Sequence, residues 1–324
     1  MSHIQYVLKR LGKAILLIFA IATLNFLLIR IAPGDPASVM AGEAGAADEL
    51  FVRQLRAEFR LDDPLPVQLG EYLLNIASFN LGYSYRNQRT VSDLLFERLP
   101  ATLLLTGSAF IVALSIGVFL GAIAASRRGR WPDTLIGTVA LMFYATPLFW
   151  FGLMFVLLFS VLLNWLPAFG MGSVQQLGGF NFVLDRGKHL ILPVLTLASY
   201  YVAIYGRLTR ASMLEVQQQD FVKLARAKGL PPGRIARMHV LRNALLPVIT
   251  FAGIQAGHLI GGSILVETVF AWPGIGRLAL ESMLVRDYNT LLGVFLICAV
   301  MTIVFNLITD LLYMLADPRI EIQR

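Results

Sequence analysis

Six long, mostly apolar stretches set the terms for this chain: 11–31, 101–125, 134–163, 190–205, 248–266 and 291–315. A helix crossing a bilayer needs about twenty such residues, because in hydrocarbon its backbone can bond only to itself. The composition agrees, with 57% hydrophobic and 15% charged residues among 324, and a mean hydropathy of +0.69. These values lie far outside the soluble range. The expected fold is therefore an all-α polytopic membrane protein with six transmembrane helices and both ends on one side. The third stretch is long and contains Pro147, so it reads as one tilted, kinked helix or as a span plus an interfacial turn.

Orientation follows from lysine and arginine. Lys9, Arg10 and Lys13 precede the first stretch, Arg127, Arg128 and Arg130 follow the second, and eight more lie between Arg207 and Arg242. All three groups belong on the cytoplasmic side. The segment 32–100 instead carries ten acidic residues against six basic ones, as expected of an outer segment. The net charge of +7 and the isoelectric point of 9.7 are thus topological. Nucleic acid is excluded as a partner, since no aromatic and basic platform accompanies the charge. Lys9, Arg10 and Ala20-Ile21-Ala22 resemble a secretory signal, but the apolar length and the five later stretches favour an uncleaved anchor. Cys298 is the single cysteine, so no intrachain disulfide can form.

The chain carries no visible engine. It has no Gly-x-x-x-x-Gly-Lys-Ser/Thr loop and no His-Glu-x-x-His, and His3, His189, His239 and His258 are widely dispersed. No catalytic, metal or cofactor site of its own is expected. A proton-coupled carrier keeps ionisable groups near the bilayer midplane; the candidates here, Glu267 and Asp310, fall near the ends of stretches.

The segment 211–247 is different in kind, being basic and helix-patterned. Residues 212–228 are strong helix formers with an apolar stripe at Met213, Val216, Phe221, Leu224 and Ala225, which needs a partner to cover it. Ala225-Arg226-Ala227-Lys228-Gly229 then gives way to Pro231-Pro232, so one helix stops on a glycine and a second starts on a proline. The second runs through His239-Val240-Leu241-Arg242-Asn243-Ala244 to Pro247. A helix lying on anionic lipid is the plainer reading; the ordered glycine and proline punctuation favours docking.

These residues resemble the cytoplasmic coupling motif of ABC importer permeases, in the version found in the dipeptide, oligopeptide and nickel family. The likeness extends to Arg10-Leu11, Pro33-Gly34-Asp35-Pro36, Ala271-Trp272-Pro273-Gly274-Ile275-Gly276-Arg277, Arg286-Asp287-Tyr288 and Asp317-Pro318-Arg319, and so to essentially the whole chain. It departs from the general motif at Lys223 and Leu224, where Glu and Ala would stand. The resemblance implies a type I ABC importer permease fold with a coupling-helix pair. It implies ATPase coupling through Ala225, Ala227, Lys228, Gly229, His239, Leu241, Arg242 and Asn243. The implied partners are a second homologous permease subunit, two ATP-binding subunits carrying ATP and Mg, a periplasmic substrate-binding protein and membrane lipid. The implied place is a bacterial inner membrane, and the implied substrate a short peptide, with nickel and other small solutes as alternatives.

Gly253, Gly257 and Gly261 fall four apart, a stripe that admits another helix, either within the chain or from a second permease across the pathway. His258 beside it either faces the pathway or bonds to nearby backbone. Gly117 and Gly121 repeat the device for internal packing. The chain divides into 1–31 with the first helix, 32–100 outside the membrane, and a permease core 101–324. Residues 48–59 read as a helix on the outer segment, a landing surface for the binding protein or a cap on the pore. Trp165, Phe169, Phe180 and Phe182 mark a second outer segment, and Trp272 an interfacial or re-entrant turn.

Overall fold

The computed structural model describes residues 3–31, 37–38, 41, 49–58, 62–173 and 179–316, and these are mostly helical. Four helices are long and apolar enough to cross a membrane: Val91–Ser126, Gly179–Val216, Pro232–Gly257 and Tyr288–Thr309. Trp131–Ala145 and Leu148–Leu162 are apolar enough only as a pair, which meets at 106°, the geometry of a broken span or of a re-entrant loop. The expected kink at Pro147 is thus a sharp break, since the residue before a proline avoids helical geometry; Thr146 is extended at ψ 138°. The first apolar stretch forms α1 (His3–Ile31), whose apolar part is the shorter Gly12–Leu28.

The chain forms two compact units. The first draws on Met1–Thr102 and Pro273–Leu307. It contains α2 (Glu49–Glu58), matching the helix read at 48–59, then α3 (Leu65–Ala77) and a hairpin of β1 (Tyr83–Ser84) and β2 (Arg89–Thr90). The strands pair antiparallel, Tyr83 opposite Thr90 and Ser84 opposite Arg89. The hairpin leads directly into α4 (Val91–Ser126), where the Thr90 hydroxyl accepts from the Asp93 amide at 3.1 Å and satisfies an open helix donor. Val91, Leu94 and Leu95 pack with Val294 of α13 (Tyr288–Ala316) and with Ile275, Leu278 and Ala279 of α12 (Ile275–Val285).

A buried polar cluster locks this unit. The Asp287 carboxylate accepts from Ser84 Oγ at 2.5 Å, Thr290 Oγ1 at 2.6 Å and the Thr290 amide at 3.1 Å. Asn289 Nδ2 adds a bond to the Tyr83 carbonyl at 3.0 Å. Asp287 thus caps α13 and ties it to the hairpin, 203 residues away in sequence.

The second unit draws on Leu103–Trp272 and Ile308–Ala316. At its centre is α7 (Gly179–Val216), with α5 (Trp131–Ala145), α6 (Leu148–Phe155) and α10 (Arg242–Gly262) against it. Gly117 and Gly121 of α4 allow α7 to come close: a Cβ at Gly121 would fall 2.4 Å from the Gly206 carbonyl oxygen. This is the internal packing expected of that pair. Asp133 of α5 grips Arg210 of α7, with Oδ1 accepting from Nε at 2.6 Å and Oδ2 from Nη2 at 2.8 Å. The Gly129 amide donates to Oδ2 at 3.0 Å, so both oxygens of a nearly buried carboxylate are satisfied.

Trp272 lies at the turn read from the sequence, between the helices that end at Val269 and begin at Ile275. Its side chain is wholly buried and its amide donates to the Glu267 carbonyl at 2.8 Å, so of the two turns expected the interfacial one loses its exposed tryptophan. Phe180 and Phe182 lie on the first turn of α7.

Candidate functional site

The segment 211–247 lies within the second unit and is built as two helical arms around one turn. The α7 helix ends at Val216 and the chain turns through Gln217–Gln219 before α8 (Asp220–Ala227) begins. That break resets the helical phase. Val222 and Ala225, three apart, face inward with Met213 and Val216 and pack with Ile235, Val240 and Ala244. Phe221 and Leu224 project outward, 38% and 56% exposed. The single stripe expected from sequence is thus two stripes, one consumed by the chain's own core and one left open.

The turn has the glycine chemistry expected of it. Gly229 sits at φ +74°, where only glycine is free of strain. Its amide donates to the Arg226 carbonyl at 2.9 Å, and the Leu230 amide to the Ala225 carbonyl at 3.3 Å. This double closure is a Schellman ending, with Leu230 packed against the cluster that includes Ala225. A Cβ on Gly229 would meet no atom within 4 Å, so the constraint is on the backbone and not on space.

Pro231 and Pro232 start the return arm: α9 (Pro232–Arg234), then a π-helical stretch Ile235–Leu241, then α10. Wide stretches of this kind favour functional positions. Where it narrows, Asn243 Nδ2 donates to the His239 carbonyl at 2.6 Å, so this side chain serves the arm's own backbone. Leu241 is half-buried against the same cluster, His239 half-buried, and Arg242 exposed. Ala227, Lys228 and Gly229 are exposed at the tip. Ala225 is buried in its own chain, so its small size serves internal packing and not a neighbour's groove. Lys223, which stands where the general motif has an acid, is bound to Asp220 at 2.7 Å. That bond holds the exposed Asp220 carboxyl below the usual range.

The glycine stripe of α10 is partly used within the chain. A Cβ at Gly253 would fall 1.8 Å from Thr309 Cγ2, and Thr309 Oγ1 donates to the Gly253 carbonyl at 3.2 Å. Gly257 is buried, whereas Gly261 is exposed with open space around it. The side chains of His258 and Asp310 lie outside the described residues. Glu267 lies on α11 (Ile264–Val269), after α10 ends at Gly262, and is wholly buried, accepting from Ser263 Oγ at 3.0 Å.

Two family models match. Residues 117–322 match the binding-protein-dependent transport system inner membrane component, and residues 3–106 the N-terminal part of such membrane components. The chain is 39% identical, over 99% of its length and all of the relative's, to the di/tripeptide transport system permease protein DppB of Pseudomonas aeruginosa. It is 38% identical to the dipeptide transport system permease protein DppB of Escherichia coli K12, over 98% and 99% of the two chains. Among solved structures it is similar to the inward-facing MetNI methionine ABC transporter, with a TM-score of 0.54 and 17% identity over 69% of this chain and 96% of that one. That last likeness concerns the fold alone. A family match over 117–322 and relatives aligned end to end together mean that the chain belongs to the inner membrane components, or permeases, of binding-protein-dependent ABC transport systems.

Proposed function

We propose that this chain forms half of the translocation pathway of an ATP-driven importer, carrying short peptides handed over by a periplasmic binding protein. The segment 211–247 takes up force from a separate ATPase subunit. The observation that carries this reading is the division of its apolar residues. Met213, Val216, Val222 and Ala225 root the arms in the chain's core, while Phe221 and Leu224 stand exposed beside the tip residues Ala227, Lys228 and Gly229. A rooted arm with an open apolar face is a rigid knob, which a cleft in a motor can move as one body. Full-length similarity to permeases named for di- and tripeptides supports peptide as cargo.

In this reading the chain crosses the inner membrane six times, α1 included, with both termini and the coupling segment in the cytoplasm. A second homologous permease completes the pathway, with Gly261 and its neighbours on α10 the surface left for it. Two ATP-binding subunits hold ATP and Mg, and the chain has no nucleotide site of its own. The segment 32–100, with α2, α3 and the hairpin, offers the landing surface for the binding protein.

Leu224→Asp tests the coupling claim by charging the open face without touching the rooted one. The variant should insert and fold normally but lose co-purifying ATPase and ATP-dependent uptake; full uptake would refute the assignment. Competition by di- and tripeptides, against nickel and sugars, identifies the cargo.

A further inference from the structure

Between the turn that joins α4 to α5 and the coupling segment, within the same unit, lies a cleft of about 760 Å³, with Arg127, Arg128 and Arg130 on one wall and Gln217, Arg226, Leu230 and Pro232 of the coupling segment on the other. Three of these arginines come from one tight turn. Helix α4 ends at Ser126, Gly129 at φ +73° reverses the chain, and α5 begins at Trp131. All four arginines are exposed, and none has a carboxylate within ion-pair distance among the described residues. Asp133 feels the Arg128 charge, but its oxygens are already held by Arg210 and the Gly129 amide. Four guanidinium groups around one cleft make it positive and attractive to an anion, and their planar forks match phosphate oxygens two at a time.

The surroundings identify the anion's source. Trp131, 73% exposed next to the arginines, is the kind of residue that sits at the headgroup level of a bilayer. A separate apolar groove of about 230 Å³ also borders α4 and α5, lined by Leu120, Leu135, Val139, Phe143 and Val202. A soluble anion needs neither an interfacial tryptophan nor an apolar groove; a phospholipid uses both. We infer that the arginine cleft binds the phosphate of an anionic phospholipid at the membrane surface, Arg127, Arg128 and Arg130 holding the headgroup. The inference rests on the chain crossing a bilayer and not on the coupling assignment.

The test uses the full-length chain in mild detergent, with native mass spectrometry counting retained phosphatidylglycerol against phosphatidylcholine. The triple variant Arg127→Gln, Arg128→Gln, Arg130→Gln should lose about 100-fold in phosphatidylglycerol affinity, at roughly fivefold per arginine, with phosphatidylcholine unchanged. Equal retention of phosphatidylglycerol by both proteins would overturn the site. The wild-type chain gives an independent arm, because phosphatidylglycerol retention should fall steeply as salt is raised; salt-independent retention overturns the inference even if the triple variant does not fold. Inorganic phosphate alone is the third arm. If it displaces the lipid at about millimolar concentration, the ligand is a free anion and the lipid assignment fails. A triple variant that keeps its lipid but loses the ATPase subunits would make the cleft a protein contact, which also overturns it.

Discussion

The two units treat their buried polar atoms differently. In the first, the Asp287 carboxylate is held on every side by Ser84 and Thr290, and Asn87 donates to Ser84 in turn. Along α7 in the second, Thr196 Oγ1, Tyr205 OH and Thr209 Oγ1 are buried with no hydrogen-bond partner among the described residues. Asn25 Nδ2 is the corresponding exception in the first unit. A buried donor left unpaired costs about 1–3 kcal/mol, so these three hydroxyls subtract from the stability of the second unit where the Asp287 cluster adds to that of the first. The clamp suits a part that must stay fixed. The helix packed through Gly117 and Gly121 is held instead by close backbone approach, with three hydroxyls left without a partner among the described residues.

Asp287→Ala should break that contrast most severely. It removes the acceptor of three bonds at a buried site, a loss of about 3 kcal/mol, visible as a markedly lower thermal midpoint in detergent; an unchanged midpoint would deny the clamp its role. Arg210→Ala follows, since it leaves Asp133 buried without its cation. The cost is about 2–3 kcal/mol, below that of a fully enclosed pair because Arg210 is partly exposed, and the double variant with Asp133→Ala should recover much of the midpoint. Gly229→Val adds about 1–2 kcal/mol of left-handed strain at an exposed turn. Here the melting change should be small and the loss of ATP-coupled uptake large, and normal uptake would show the tip to be passive. Tyr205→Phe is the mildest change, removing an unpaired hydroxyl and raising the midpoint by the equivalent of about 0.5–1 kcal/mol. If the hydroxyl is bonded in another transport state, uptake falls as the midpoint rises; a rise without a change in uptake would mean the hydroxyl has no part in transport.

Much of this was legible in the chain, and the rest was hidden for definable reasons. Apolar run lengths located the helices because a bilayer fixes them, and the break at Pro147 was marked by the proline itself. Gly229 announced its left-handed turn because Pro231-Pro232 follows it. The inward face of α8 was misread because a single helical phase was carried from Met213 across Gln217–Gln219, where the helix in fact stops. That error put Met213, Val216 and Ala225 on the same partner-seeking stripe as Phe221 and Leu224, whereas they pack within the chain, and it missed Val222. Trp272 was read as an interfacial or re-entrant turn, and residue type alone did not report that tertiary packing buries its side chain. The Asp133–Arg210 pair spans 77 residues and the Ser84–Asp287 bond 203, and no local pattern reports such partners. The coupling role itself came from motif resemblance, and the structure adds which side chains remain available for contact.

The central claim is that a separate motor grips the 211–247 segment. The most direct measurement is affinity purification of this chain, gently solubilised from its native membrane, with identification of whatever accompanies it and a cysteine cross-link from Leu224→Cys to its neighbour. The account predicts a second six-span permease and Walker-motif ATPases, with the cross-link landing on the ATPase. A chain that purifies alone, and moves solute into vesicles without ATP, would contradict it.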